Sequence, residues 1–291
     1  MASKMAQKHY KDFPELKEFV LSNVHKTGTN LGRGAFGTVE ELAVGRTLCA
    51  GKKLHAVLLD AHNEGIQRTI KRFITECKLM SRLRHPRIVQ FMGLCFFDDS
   101  PYPMLIMEKL DVDLQTLLET QNNVPFVAVL HILQDIAEGL THMHGHSPPV
   151  IHRDLTARNI LIIQGSLRAK IGDLGNALCM TDLATVTNSL SRIPGTLLYM
   201  PPEAFEYGRP KYDSMLDMFS FGHLALFAMI QEFPKELLPS TFYDEKGVLR
   251  ARNEVGRREK YIEKLVAKLT NNHVVTKMII QCLHNAPDKR Y

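Results

Sequence analysis

The sequence predicts an α+β chain of two consecutive lobes, a small strand-rich one followed by a larger, mainly helical one. Three observations predict it. Short strand-like apolar runs crowd the first third of the chain; one helical stripe, from about Gln67 to Arg84, interrupts them; and from Leu114 onward apolar residues recur largely at helical spacing. At 291 residues the chain is long enough for one large domain or two lobes.

Residues Met1 to Asn30 are polar with scattered apolar anchors and read as a leader. Leu31-Gly-Arg-Gly-Ala-Phe-Gly-Thr-Val39 comes next and ends strand-like, then Thr47-Leu-Cys-Ala50 leads into Lys52-Lys53. The helix that follows puts Ile70, Phe73, Ile74, Cys77 and Met80 on one stripe, and Pro86 stops it. Ile88 to Leu94 and Met104 to Met107 read as further strands. The small lobe is therefore expected over 31–107, a hinge over 108–112 and the large lobe over 113–291.

In the large lobe, Val127 to His144 carries Leu130, Leu133, Ile136, Ala137, Leu140 and Met143 at helical spacing, and Pro148-Pro149 ends it. Asn159 to Ile163 and Ala169 to Ile171 are strand-like, and a polar segment runs on to Glu203. The remainder is helical apart from a long loop, Pro234 to Arg257. Phe221 to Ile230 is apolar but contains His223 and is too short to cross a bilayer, so it reads as a buried helix.

Composition narrows the function classes. The hydrophobic and charged fractions, 45% and 23%, are those of an ordinary globular protein. A net charge of +5 is mild and dispersed; its densest group, Arg250 to Arg258, is interrupted and reads as a solvated loop, not a nucleic-acid strip. Five cysteines without a C-x-x-C pair argue against a disulfide framework or zinc site and fit a reducing compartment. The start shows neither an apolar signal core nor a myristoylation glycine. The expected location is cytoplasmic, without membrane insertion.

Gly32-x-Gly34-x-x-Gly37 lets backbone approach a phosphate chain, although alone the pattern is as often a plain turn. A dinucleotide fold would need a helix directly after it and an acidic residue about 20 positions on. A Thr38-Val39 strand follows instead, and Lys52 occupies that place. Gly45 to Lys52 fails as a Walker loop because its spacing is one residue too long and Lys53 replaces the Ser or Thr. His142, His144 and His146 lack a completing cysteine or carboxylate and read as solvated or packing histidines.

Four further segments point one way. Cys49-Ala50-Gly51-Lys52 resembles a V-A-I-K strand, and His152-Arg153-Asp154-Leu155-Thr156-Ala157-Arg158-Asn159 matches H-R-D-L-x-x-x-N at every defined position. Asp173-Leu174-Gly175 stands where D-F-G is expected, and Met200-Pro201-Pro202-Glu203 resembles A-P-E. With the glycine pattern, these resemble the eukaryotic protein kinase catalytic domain over roughly residues 31 to 291, in the right order. The likeness implies a bilobal fold with a small antiparallel sheet lobe, ATP and Mg²⁺ as cofactors, and a protein substrate; oligomeric state stays unread.

By that resemblance Asp154 is the catalytic base, with Lys52, Asn159 and Arg158 as catalytic partners. Leu31, Gly32, Arg33, Gly34, Ala35, Phe36, Gly37, Thr38 and Val39 would cover the nucleotide. Lys52, held by Glu76, would grip its phosphates; Ala50, Met107 and Leu161 would line the base, and backbone of Glu108 and Leu110 would bond it. Asn159 and Asp173 would hold metal. Asp217 to Gly222 resembles the helix that anchors the catalytic loop, and Arg290 the arginine that pairs with the Glu203 position. Thr181, Thr185, Thr187, Ser189 and Ser191 are candidate activation-segment phosphoacceptors. The family usually adds a helix after the place of Arg290, so a last helix is expected to be missing here.

The acceptor stays open. Thr156 replaces the lysine usual in serine/threonine kinases and Arg158 follows tyrosine-kinase habit, whereas Gly195-Thr196-Leu-Leu-Tyr199 resembles the serine/threonine docking loop. This mixture resembles the tyrosine-kinase-like group and favours Ser/Thr, with tyrosine or dual specificity as the alternative. A pseudokinase scaffold is the rival class, although Lys52, Asp154 and Asp173 are all kept.

Overall fold

A computed structural model describes residues 18–33, 37–54, 63–97, 103–121, 123–179, 196–205, 213–231, 260, 262–269 and 273–291. The chain divides into two units, Met1–Asp111 and Val112–Tyr291.

The first unit is a five-stranded antiparallel sheet: β1 (Val24–Arg33), β2 (Gly37–Val44), β3 (Thr47–Leu54), β4 (Phe91–Cys95) and β5 (Met104–Glu108), in the order β1-β2-β3-β5-β4. Leu42, Cys49, Cys95, Met104 and Ile106 form a core on it. Gly51 lets side chains close in there: a Cβ would lie 2.4 Å from Leu42 Cδ1 and 2.5 Å from Met104 Sδ, so both would have to shift. Helix α1 (Asn63–Arg82) buries Phe73, Cys77, Leu79 and Met80.

The sheet begins at Val24, inside the segment read as a leader, so that boundary lies too late. β1 is an edge strand with residues 25 to 32 exposed, and it needs none of the apolar alternation by which strands are recognised.

In the second unit, β6 (Val112–Asp113), β8 (Ile160–Ile163) and β9 (Arg168–Ile171) form a three-stranded sheet, and β7 (Val150–Ile151) pairs with β10 (Leu178–Cys179). Asp113 caps α2 (Leu114–Thr120) by accepting from Thr116 N at 2.9 Å. Helix α3 (Phe126–His144) buries Val129, Ile132, Leu133, Ile136, Leu140 and Met143. Its inner face is thus turned from the stripe read in sequence, and Ala137 faces solvent. Asp135, 1% exposed, accepts from Arg168 Nε at 2.8 Å and Ala169 N at 2.9 Å, tying α3 to β9.

Helix α4 (Met215–Ile230) is buried from Phe219 to Ala228, which is why its sequence lacks a polar face. Gly222 admits helix α5 (His273–Cys282) closely, since a Cβ there would sit 2.8 Å from Cys282 Cβ. All five cysteines are free thiols. Burial raises Cys77, and pushes Cys95 and Cys282 up to about 11. The loop expected over Pro234 to Arg257, residues Gly34 to Phe36 and the candidate phosphoacceptors lie outside the described residues.

Candidate active site

In the first unit the β-ladder sets the positions. Val39 pairs with Gly32 on one side and Lys52 on the other, so Lys52 lies two strands from the glycine turn, in register with its first glycine. Leu31 is exposed, and a Cβ on Gly32 would meet open space. Thr38 pairs with Arg33 and Lys53, and Gly37 with Leu54. Lys52 Nζ bonds Glu76 Oε1 at 2.9 Å, with the two residues 8% and 6% exposed. Each charge is buried because the other is there; either alone would be costly.

Ala50 is buried between Glu41 and Met107, and Met107 pairs also with Phe91. The N–H of Glu108 donates to Gln90 O at 3.0 Å, so a ligand edge would meet its carbonyl. Leu110 is half-buried just beyond β5.

In the second unit, residues 152–159 bridge β7 and β8. His152 is fully buried: its Nδ1 accepts from Asp154 N at 3.3 Å, which leaves the proton on Nε2 to donate to Gly172 O at 2.9 Å. Arg153 takes a left-handed turn, φ 65°, unusual for a side-chain-bearing residue. Asp217 braces that turn. Its Oδ2 accepts from His152 N and from His144 Nε2, both at 2.8 Å, and its Oδ1 from Arg153 N at 2.9 Å. Burial works to raise the Asp217 carboxyl, but the His144 hydrogen bond, the electrostatic pull of the neighbouring His144 and His152 rings, and the His152 amide together hold it below the usual range.

Asp154 presents its carboxylate to a ring of donors. Thr196 gives its N–H and its hydroxyl to Oδ1, both at 2.9 Å. Asn159 Nδ2 donates to Asp154 O at 2.7 Å and reaches Oδ2 at 3.5 Å; Asn176 Nδ2 lies 3.3 Å from Oδ2. Asp173 also has positive φ, 51°, and its side chain accepts from Gly175 N at 3.4 Å. Gly172 N donates to Asn159 O at 2.8 Å, tying the backbone before Asp173 to Asn159. Leu174 is buried, as its apolar role requires; Arg158 is exposed; and Leu161 is half-buried on β8 opposite Lys170.

The donor chemistry fits a magnesium ion. Asn159 turns its nitrogen to Asp154, leaving its amide oxygen, and Asp173 adds a carboxylate. These are hard oxygen ligands, and Mg²⁺ is commonly held by one or two such groups together with phosphates and water. Among the described residues no cluster of three or more His, Cys, Asp or Glu forms a closed metal site.

Arg290 forks onto Glu203, with Nη2 at 2.9 Å from Oε2, and also donates to the carbonyls of Met215 and His284. Tyr199 is buried, and burial pushes its phenol up to about 12. Sequence reasoning missed two groups. His144 was read as a solvated or packing histidine but is the third donor to Asp217. Asn176, one position past Gly175, belongs to no defined motif position, and its only signal was adjacency.

A protein kinase domain model matches residues 25–291. The chain is 33% identical to the serine/threonine-protein kinase VIK of Arabidopsis thaliana over 70% of this chain and 45% of that protein. It is 30% identical to the calcium/calmodulin-regulated receptor-like kinase 2 of the same plant, over 90% of this chain and 57% of the relative. A tyrosine-protein kinase, TXK of Mus musculus, is 28% identical over 89% of this chain and 44% of its own length. The chain thus spans about half the length of these curated relatives.

Proposed function

The chain belongs to the protein kinase domain family, within its tyrosine-kinase-like group, and from that premise we propose that it transfers the γ-phosphoryl group of ATP to serine or threonine hydroxyls of a protein. One observation carries the acceptor reading: the Thr196 hydroxyl and N–H both bond Asp154 Oδ1 at 2.9 Å. A docking segment drawn that close to the base suits an acceptor hydroxyl near its own backbone, as in serine and threonine, and crowds a phenol carried further out.

Phosphoryl transfer asks a protein mainly to position groups and neutralise charge. In this reading Asp154 receives the acceptor hydroxyl's hydrogen bond, aligns its oxygen and takes the proton as that oxygen bonds the γ-phosphorus and the bond to the β,γ-bridging oxygen breaks, with ADP leaving. Lys52, paired with Glu76, would grip the nucleotide's phosphates, and Leu31 to Arg33 and Gly37 to Val39 would flank them. By family likeness Ala50 and Met107 would line the adenine, and backbone groups of Glu108 and Leu110 would bond its edge. The Asp173 carboxylate and Asn159 amide oxygen would hold magnesium, which when bound would neutralise charge on the phosphate oxygens. Arg158, exposed on the loop, would meet incoming phosphate or substrate. The free, mostly buried thiols suit a reducing compartment, and we place the protein in the cytoplasm; fractionation tests this.

Incubation with γ-labelled ATP and a peptide library, followed by phosphoamino-acid analysis, tests the activity. Phosphoserine and phosphothreonine that vanish in Asp154→Ala are expected. Phosphotyrosine alone would overturn the acceptor assignment, and label equal in native chain and variant would overturn the kinase reading.

A further inference from the structure

We infer that Asn176 is a positioning residue for the base, its side-chain amide holding the second oxygen of the Asp154 carboxylate. The inference rests on the reading of Asp154 given above. Thr156 is 6% exposed and offers at most a short hydroxyl, so this chain lacks a long cationic donor two positions after Asp154. A carboxylate that must accept a hydrogen bond from an incoming hydroxyl needs its other lone pairs occupied in fixed directions, or it rotates. Oδ1 is fixed by two bonds from Thr196. Oδ2 is reached by Asn159 Nδ2 at 3.5 Å, a marginal contact whose stronger bond goes to the Asp154 carbonyl, and by Asn176 Nδ2 at 3.3 Å. Of the two amides on Oδ2, Asn176 is the closer.

The placement of Asn176 is built in, not incidental. Leu178 pairs with Ile151 and Cys179 with Val150; continuing that antiparallel register by two residues sets Asn176 opposite Arg153, next to the base. Arg153 Nε donates to the Asn176 carbonyl at 2.6 Å, and Ala177 N closes the short turn onto Leu174 O at 3.0 Å. With its backbone held on both sides, the side chain is left facing Asp154. Beside a carboxylate the amide must present its NH₂ end, since its oxygen would meet another acceptor.

The test compares Asn176→Ser, Asn176→Ala and Asn176→Asp with the native chain, measuring kcat and the ATP KM separately and checking folding by thermal melting. A positioning donor predicts kcat falling about 10-fold or more in Asn176→Ala. Partial rescue is expected in Asn176→Ser, which keeps a donor, and the deepest loss in Asn176→Asp, which keeps the shape but sets an acceptor against Asp154. The ATP KM should stay within about 2-fold of native, because the group acts on the acceptor side. Equal kcat in native and Asn176→Ala, or Asn176→Asp as active as native, would overturn the inference while leaving the kinase reading intact. A native chain with no Asp154-dependent turnover would overturn both. A loss carried by KM or by melting alone would assign Asn176 a structural role and refute the positioning one.

Discussion

Replacing Asp217 by Asn is the sharpest stability test of the site. The native carboxylate is fully buried and accepts three N–H donors, two on Oδ2 and one on Oδ1. An asparagine can keep its single oxygen where Oδ2 lay and retain His152 N and His144 Nε2. Its NH₂ then faces the N–H of Arg153, donor against donor. Leaving that buried amide unsatisfied costs about 1–3 kcal/mol, and turning two charge-assisted bonds into neutral ones about 0.5–1 kcal/mol each. The sum is about 3 kcal/mol, which lowers Tm by roughly 6–12 °C in a chain of this size.

The pH dependence has a definite sign. Because the Asp217 carboxyl is held below its ordinary 3.8, its stabilisation is fully present above that value and is lost as pH falls through the lower folded one. Urea unfolding of native and Asp217→Asn across pH should show the full gap near neutrality, closing only in acid. A neutral-pH difference below about 0.5 kcal/mol would show that the three donors have other partners and refute the reasoning.

Gly51→Ala should destabilise by about 1–3 kcal/mol in urea unfolding, because the new Cβ meets Leu42 and Met104; in an open strand the same change is stabilising. Glu76→Gln should cost about 3 kcal/mol by denaturant unfolding, since the Lys52 ammonium is left buried opposite a neutral amide. Arg290→Lys exchanges a fork on Glu203 for a point charge that cannot also reach the Met215 and His284 carbonyls, and a thermal melt should record a loss of about 2 kcal/mol.

The sheet and the long helices were legible because their apolar periods are strong. Phe73, Cys77 and Met80 marked α1, although it starts at Asn63, four residues ahead of the stripe, where Ile66 is a lone apolar residue and sets no period. Edge strand β1 was not legible, having no buried face to write a pattern. Motif residues such as Asp154, Asn159 and Asp173 could be named from their resemblance to family motifs. The anchoring helix at Asp217 was readable from the same resemblance, but its partner His144 was not, because the two lie 73 positions apart and meet only through the packing of α3 and α4. Gly51 shows the converse. In sequence it looked like a mere departure from V-A-I-K, and its reason lies in Leu42 and Met104 filling the space that a larger side chain takes elsewhere.

The ribbon of β7 and β10 has only two rungs, fewer than an isolated ladder needs to persist. Its alignment is therefore borrowed from Val150, Ile151 and Leu178, sunk in the interior on both sides. Sliding the chain at Cys179 by a single residue would swing Leu178 out of the interior and carry Asn176 away from Asp154. The seat of Asn176 beside Asp154 therefore depends on two rungs keeping their register.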